Sequence, residues 1–254
     1  MCGIVGYIGH QKAVPVLLEG LSRLEYRGYD SAGVAVLEHG KVGIHKYKGR
    51  LQNLVDNITP LDLPSHIGIG HTRWATHGEP SDLNAHPHTN VAGSIAVIHN
   101  GIIENYSQIK EWLEREKGIQ FLSETDTEVI AHLIDHYYAG DLLDAVYHAI
   151  DRMEGAYAIG VISQEHPDTL IAVRKDSPLV VGLGEGEQFI ASDIPALLKY
   201  TRKVYLIEND EVVVLKPEGV QIFDAFRHPV TREVFNVTWD AESAEKDEIG
   251  RAHV

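Results

Sequence analysis

From Gly155 onward the chain is a succession of short apolar runs, at 156–162, 169–173, 179–183, 188–191, 203–207, 211–215 and 221–223, with one short helical segment at 194–200. Most of the gaps are of turn length, too short for the crossover helix that joins two parallel strands. The first 155 residues mix strands with helices. Residues 2–8 read as a glycine-punctuated strand, and Val14, Leu17, Leu18, Leu21 and Leu24 recur at helical spacing, predicting a helix near 12–24. Residues 31–37 and 42–47 flank His39-Gly40 as a hairpin, and 67–72 and 92–99 are strand-like. Helices are expected at 107–117, 126–138 and 142–153, the second with Ser123 and Thr125 beside its start. Helices gathered early and strands gathered late predict an α+β fold, with antiparallel sheets covered by helices rather than a βαβ alternation.

The 254 residues suffice for one large domain with a well-buried core. A formal charge of −15 argues against a nucleic-acid surface, which needs clustered Lys and Arg. The apolar runs are strand-length, far short of a membrane span. A single cysteine forms neither an internal disulfide nor a cysteine-based zinc site, and the N-terminus lacks the basic and apolar regions of a secretory signal. These features predict a cytoplasmic protein.

That one cysteine is Cys2, in the run Cys2-Gly3-Ile4-Val5-Gly6-Tyr7-Ile8-Gly9. A small residue after Met1 normally permits removal of the methionine, which would leave one residue carrying both a thiol and an α-amine. An α-amine titrates near about 7.7–8.0, low enough to accept a proton at cellular pH, while the thiol supplies the nucleophile. The plainer reading is a start codon followed by a cysteine.

Four polar segments stand beside the expected elements: 25–33, 70–88, 99–105 and 123–128. Arg73 can grip a carboxylate through its fork, and Asp126 can pair with an ammonium, a combination suited to a free amino acid. Asn100-Gly101, following a strand, offers a side-chain amide and an unhindered N–H for an oxyanion hole. Taken singly, Arg73 and Asp126 read more readily as surface ion pairs, and Asn100-Gly101 more readily as a turn. Six of the fifteen histidines fall between His66 and His99, which raises a metallohydrolase as a competing reading. The stretch has no His-Glu-x-x-His and no repeated spacing beyond His86-Pro87-His88, so no metal and no cofactor is expected. Gly182, Gly184 and Gly186 lie in an acidic run without the lysine of a phosphate loop and read as a turn between strands.

Taken in order, the motifs carry a resemblance. They are Cys-Gly-Ile-Val-Gly at 2–6, Leu-Glu-Tyr-Arg-Gly-Tyr-Asp-Ser-Ala-Gly at 24–33 and His-Thr-Arg-Trp-Ala-Thr-His-Gly at 71–78. His-Asn-Gly-Ile-Ile-Glu-Asn at 99–105, Ser-Glu-Thr-Asp-Thr-Glu at 123–128 and Asp-Ser-Pro-Leu-Val-Val-Gly-Leu-Gly at 176–184 complete the set. From Cys2 to about Trp239 the chain resembles the N-terminal glutaminase domains of the glucosamine-6-phosphate synthase family, which are class II glutamine amidotransferases. The resemblance implies a four-layer α/β/β/α sandwich of the N-terminal-nucleophile hydrolases. It implies hydrolysis of L-glutamine to glutamate and ammonia through a Cys2 thioester, with Asn100 and Gly101 holding the oxyanion. Arg73, Thr76 and His77 would bind the substrate carboxylate and Asp126 its ammonium. Trp74 would sit on a lid, and Arg27 and Gly28 would support the nucleophile. His86 falls in a matching motif and receives no role.

That family continues into sugar-isomerase domains that consume the ammonia on fructose 6-phosphate and carry most dimer contacts, and this sequence does not include them. The chain by itself is therefore expected to act as a glutaminase and to be monomeric, whereas a full-length parent is expected to be a homodimer. Residues 240–254 are expected to be a linker or a non-native tail, since the last seven read like a sequencing adapter. Two alternatives stay open beside the glutaminase: a glutamine-binding module without turnover, and a metal-dependent amidohydrolase.

Overall fold

The computed structural model describes residues 2–75 and 77–239. Thr76 and the expected linker or tail at 240–254 lie outside the described residues.

Two antiparallel sheets form the middle of the molecule. The first contains β1 (Gly3–Ile8), β2 (Ser31–Glu38), β3 (Lys41–Lys48), β4 (Ile67–Arg73), β9 (Val180–Leu183), β10 (Gln188–Ala191), β11 (Lys203–Leu206) and β15 (Phe235–Asn236). Their spatial order is β15-β11-β9-β10-β1-β4-β2-β3. The second contains β5 (His88–Thr89), β6 (Ile95–Ile103), β7 (Gly155–Ser163), β8 (Leu170–Lys175), β12 (Glu211–Lys216), β13 (Gly219–Phe223) and β14 (Pro229–Val230), in the order β14-β13-β12-β8-β7-β6-β5.

Each central strand is apolar on both faces because each sheet is covered on both. In β1, Ile4 and Ile8 enter the layer between the sheets, while Val5 and Tyr7 pack under α1 (Ala13–Ser22). In β6, Ala96 and Ile98 face the first sheet, and Ile95 and Val97 face helices. The helices α1 and α2 (Leu51–Ile58) cover the first sheet; α3 (Tyr106–Lys117), α4 (Glu128–Tyr137) and α5 (Leu142–Ile150) cover the second. The result is the four-layer α/β/β/α sandwich of the expected α+β class. Among the described residues, no helix is long and apolar enough to cross a membrane.

Several elements differ from expectation. The helix α2 is not among those predicted. Leu51, Leu54 and Ile58 do recur at helical spacing and are buried, but Gln52, Asn53, Asp56 and Asn57 between them mask the signal. The segment at 194–200 forms only one 3₁₀ turn, Ile194–Ala196, opened by Asp193, whose carboxylate accepts the Ile194 N–H at 2.8 Å. The fourth helix starts at Glu128 instead of residue 126, and neither Ser123 nor Thr125 caps it. Ser123 instead donates its hydroxyl to the Glu128 carboxylate at 2.6 Å, and that carboxylate also accepts the Ser123 and Leu122 N–H groups. Burial opposes ionisation of Glu128. Hydrogen bonds from His132, Ser123 and the backbone of Leu122 and Ser123 outweigh it and hold the carboxyl down at about 2.

The layer between the sheets carries the fold, and Ile98 lies in it fully buried. Ile98→Ala is expected to lower unfolding free energy by about 3 kcal/mol, measured by urea denaturation. A loss below about 1 kcal/mol would contradict tight packing between the sheets.

Candidate active site

Cys2 stands immediately before β1, whose register is fixed on both edges. Gly3 pairs with Thr72 and Ile4 with His71 on β4, while Val5 pairs with Ala191 on β10. This pairing brings Cys2 beside the end of β4, where Arg73 is the last strand residue. The chain then turns back over the thiol. The Trp74 N–H donates to Cys2 Sγ at 3.1 Å, and the thiol lies 3.6 Å from the Trp74 carbonyl oxygen. Burial pushes the Cys2 thiol up from its ordinary value; the Trp74 N–H and the Arg73 guanidinium pull it down, and Asp30 pushes it up. The net direction is upward.

Asn100 and Gly101 come from the other sheet. The strand β6 does not end before them but runs on to Ile103, pairing Asn100 with Ala158 and Gly101 with Tyr157. They are therefore part of a strand, not a turn. Gly101 has φ of +116°, and a Cβ there would lie 1.9 Å from the Ala156 carbonyl oxygen, so only glycine fits. Asn100 donates Nδ2–H to the Cys2 carbonyl at 2.9 Å, and its Oδ1 accepts from His71 Nε2 at 2.9 Å.

Arg73 and Asp126 are buried, at 3% and 5% exposure, so neither is a surface ion pair. The Arg73 guanidinium donates to the carbonyl oxygens of His77, of Gly78 at 3.0 Å and of Glu79 at 3.4 Å, which braces the loop that follows it. Asp126 is oriented through one carboxylate oxygen, which accepts the Ile103 N–H at 2.8 Å. Trp74 is half exposed, with its ring edge-on to Tyr29 at 5.2 Å. His77 packs edge-on to Tyr106 at 5.6 Å. Arg27 forms an ion pair with Asp193 at 2.5 Å. Gly28 approaches the β4 end so closely that a Cβ would lie 2.8 Å from the Arg73 carbonyl carbon.

One cavity of about 290 Å³ unites these groups. Cys2, Arg73, Asn100, Gly101 and Asp126 line it, as do Arg27, Trp74, His77 and His86. Gly28 lies behind Arg73 without lining the cavity, and Thr76 is outside the described residues. Ser192, absent from the sequence reading, also lines the cavity and accepts the Ile4 N–H on its hydroxyl at 3.0 Å. Asp30 was likewise missed as a site residue: it accepts the Ala75 N–H and the Ser31 hydroxyl and so pins the start of the loop. Its place in the Tyr-Arg-Gly-Tyr-Asp-Ser run was the available signal.

Four histidines cluster at the cavity floor, of which His86 and His99 line it. His71 and His86 stack with centroids 4.2 Å apart. The Thr127 hydroxyl lies 2.8 Å from His86 Nε2 and 2.9 Å from His99 Nδ1, and Thr125 Oγ1 lies 3.0 Å from His88 Nε2. Burial keeps all four neutral, pushing His71 down to about 3 and His86 and His88 well below their ordinary value. Among the described residues, no three His, Cys, Asp or Glu side chains are grouped so as to hold a metal ion.

The sequence pattern of the glutamine amidotransferase domain matches residues 61–226. The glutamine–fructose-6-phosphate aminotransferase (isomerizing) of Clostridium perfringens is 62% identical over 246 residues, covering 97% of this chain and 40% of that protein. Its counterpart in Clostridium tetani is 60% identical over the same shares of the two chains. The chain thus spans about two-fifths of the length of these relatives. Among solved structures, glutamine phosphoribosylpyrophosphate amidotransferase from B. subtilis, complexed with ADP and GMP, superposes with a TM-score of 0.77 at 28% identity. That match covers 88% of this chain and 49% of the other.

Because burial dominates the environment of Cys2, its alkylation by iodoacetamide, followed by mass spectrometry against pH, is expected to rise with a midpoint above the free-thiol value of about 8.5. A midpoint below about 7 would mean that Trp74 and Arg73 outweigh burial.

Proposed function

This chain belongs to the glutamine amidotransferase domain family, and from that premise we propose that it hydrolyses L-glutamine to L-glutamate and ammonia with Cys2 as an N-terminal nucleophile. The observation that carries the reading is the convergence of Cys2, Asn100, Gly101, Arg73 and Asp126 on one cavity, although they come from both sheets and from the turn before α4. Together they supply a nucleophile, oxyanion donors and a partner for each charge of a free amino acid.

The chemistry runs in two halves. After removal of Met1, the Cys2 α-amine accepts the thiol proton as Sγ forms a bond to the glutamine side-chain carbonyl carbon. The carbonyl oxygen becomes an oxyanion, held by Asn100 Nδ2 and the Gly101 N–H, each worth about 3–4 kcal/mol. When the tetrahedral species collapses, the ammonium returns its proton to the departing nitrogen, and ammonia leaves a γ-glutamyl thioester. Water then attacks the thioester, the amine again taking a proton, and the thiol is restored as glutamate departs. Arg73 and His77, with Thr76, take the substrate carboxylate, and Asp126 takes the ammonium. Trp74 covers the thiol as a lid, and Arg27, Gly28 and Asp30 hold its surroundings in shape.

The relatives' names extend the proposal. In a longer protein, a sugar-isomerase partner domain would receive the ammonia and use it on fructose 6-phosphate to make glucosamine 6-phosphate, in a homodimer. The lone thiol supports a cytoplasmic setting.

Ammonia release from glutamine tests the reading. Cys2→Ala is expected to abolish turnover, and so is any extension that blocks the Cys2 amine, while a chelator leaves the rate unchanged. Arg73→Ala is expected to raise KM at least about tenfold with a smaller effect on kcat, the pattern of lost substrate binding. Asn100→Ala is expected to lower kcat about 10²- to 10³-fold. Glutamine binding without turnover by the wild type, seen calorimetrically, would favour a non-catalytic module. Activity that persists in Cys2→Ala would overturn the mechanism.

A further inference from the structure

His71 takes no part in the chemistry above, yet it is buried at 1% exposure between the two sheets and touches the oxyanion side chain. It sits on β4, opposite Ile4 of β1 and Gly33 of β2, on the sheet that carries Cys2. Its Nε2 reaches into the other sheet, 3.0 Å from the His99 carbonyl oxygen and 2.9 Å from Asn100 Oδ1. A carbonyl oxygen only accepts, so the contact with His99 requires a proton on Nε2. Nδ1 is buried with no hydrogen-bond partner, so a proton there would leave a donor unmet at a cost the Nε2–H tautomer avoids.

The tautomer settles the direction of Asn100. With a donor at His71 Nε2, the carboxamide oxygen faces the imidazole and the nitrogen faces the Cys2 carbonyl at 2.9 Å. A flipped amide would set donor against donor at His71 and acceptor against acceptor at Cys2, losing both bonds. One Nδ2 hydrogen is used on the Cys2 carbonyl, and the second remains for the cavity.

We propose that His71 is a positioning residue for the reaction: its Nε2–H holds the Asn100 carboxamide in the one orientation that presents a donor to the oxyanion. The proposal rests on the oxyanion role given to Asn100. It makes the donor a joint product of both sheets, because the residue that aims it belongs to the nucleophile's sheet. The stacked His86 ring covers one face of the imidazole and restricts its rotation.

The test is glutamine hydrolysis by wild type, His71→Phe, His71→Gln, Asn100→Ala and the His71→Phe/Asn100→Ala double variant, with thermal unfolding of each. Phenylalanine fills the site without a donor, and glutamine keeps an amide donor. His71→Phe is expected to lower kcat about 10- to 100-fold, with KM changed less than about twofold, and His71→Gln to recover most of the loss. In the Asn100→Ala background the same change is expected to cost less than about threefold, since the group it aims is gone. A rise in KM matching the fall in kcat, or an equal loss in both backgrounds, would overturn the proposal as a general packing effect. An unchanged kcat for Asn100→Ala would overturn the oxyanion reading beneath it. If His71→Phe does not fold, His71→Met, similar in reach and without an N–H, carries the same comparison.

Discussion

The pairing of β1 between β4 and β10 is the constraint on which the site depends. A chain terminus ordinarily frays, because its first residues lack partners. Here the residue after Cys2 is already inside a strand that is hydrogen-bonded along both edges and buried from Gly3 to Ile8. The nucleophile thus stands one residue outside a rigid element. The register Gly3↔Thr72 also fixes what lies beside it, since the next residue of β4 is Arg73. Sliding β4 by one residue would move Arg73 away from Cys2 and exchange its two faces, exposing Ile67 and Ile69 to the wrong layer.

The second sheet contributes what the first cannot. Its strand β6 is apolar through Ile98 and then places Asn100, Gly101 and Ile102 toward the cavity before Ile103 returns to the core. Gly101, at positive φ, permits that change of direction, and Ile103 anchors Asp126 through its N–H. For the proposed oxyanion role, donors fixed in this way need no rearrangement when charge develops, and burial beneath them keeps the local dielectric low. The apolar layer between the sheets therefore stabilises the fold and also holds two half-sites in register.

Much of this was legible in the sequence because strand and helix periodicities are local. The runs that became β1, β2, β3, β7 and β12 all have recognisable apolar patterns, and their short connections pointed to antiparallel pairing. The helix α2 escaped because four polar side chains interrupt its buried stripe. Asn100-Gly101 looked like a turn because Asn-Gly is a turn dipeptide by propensity, and only pairing with Ala158 and Tyr157 keeps it in a strand. The residues named for the site were recognisable by type and motif, but their convergence was not. Asp30, His71 and Ser192 contact backbone groups or another side chain, a kind of contact that leaves no mark in a residue's own chemistry.

The titration of the groups around Cys2 bears on where its proton goes. Burial raises the thiol, so it is not already ionised and needs a base as it attacks. The nearby imidazoles are poorly suited to that task. His71 is held down near about 3 with its Nε2 proton committed to two oxygens, and His86, His88 and His99 are also lowered by burial. The Asp30 carboxylate is occupied by the Ala75 N–H and the Ser31 hydroxyl. An α-amine with a value near about 7.7–8.0 is close to neutral pH and is covalently attached one atom from the Cys2 side chain. A half-buried thiol, raised by desolvation and set near neutral histidines, is therefore a reason for the base to come from the same residue as the nucleophile.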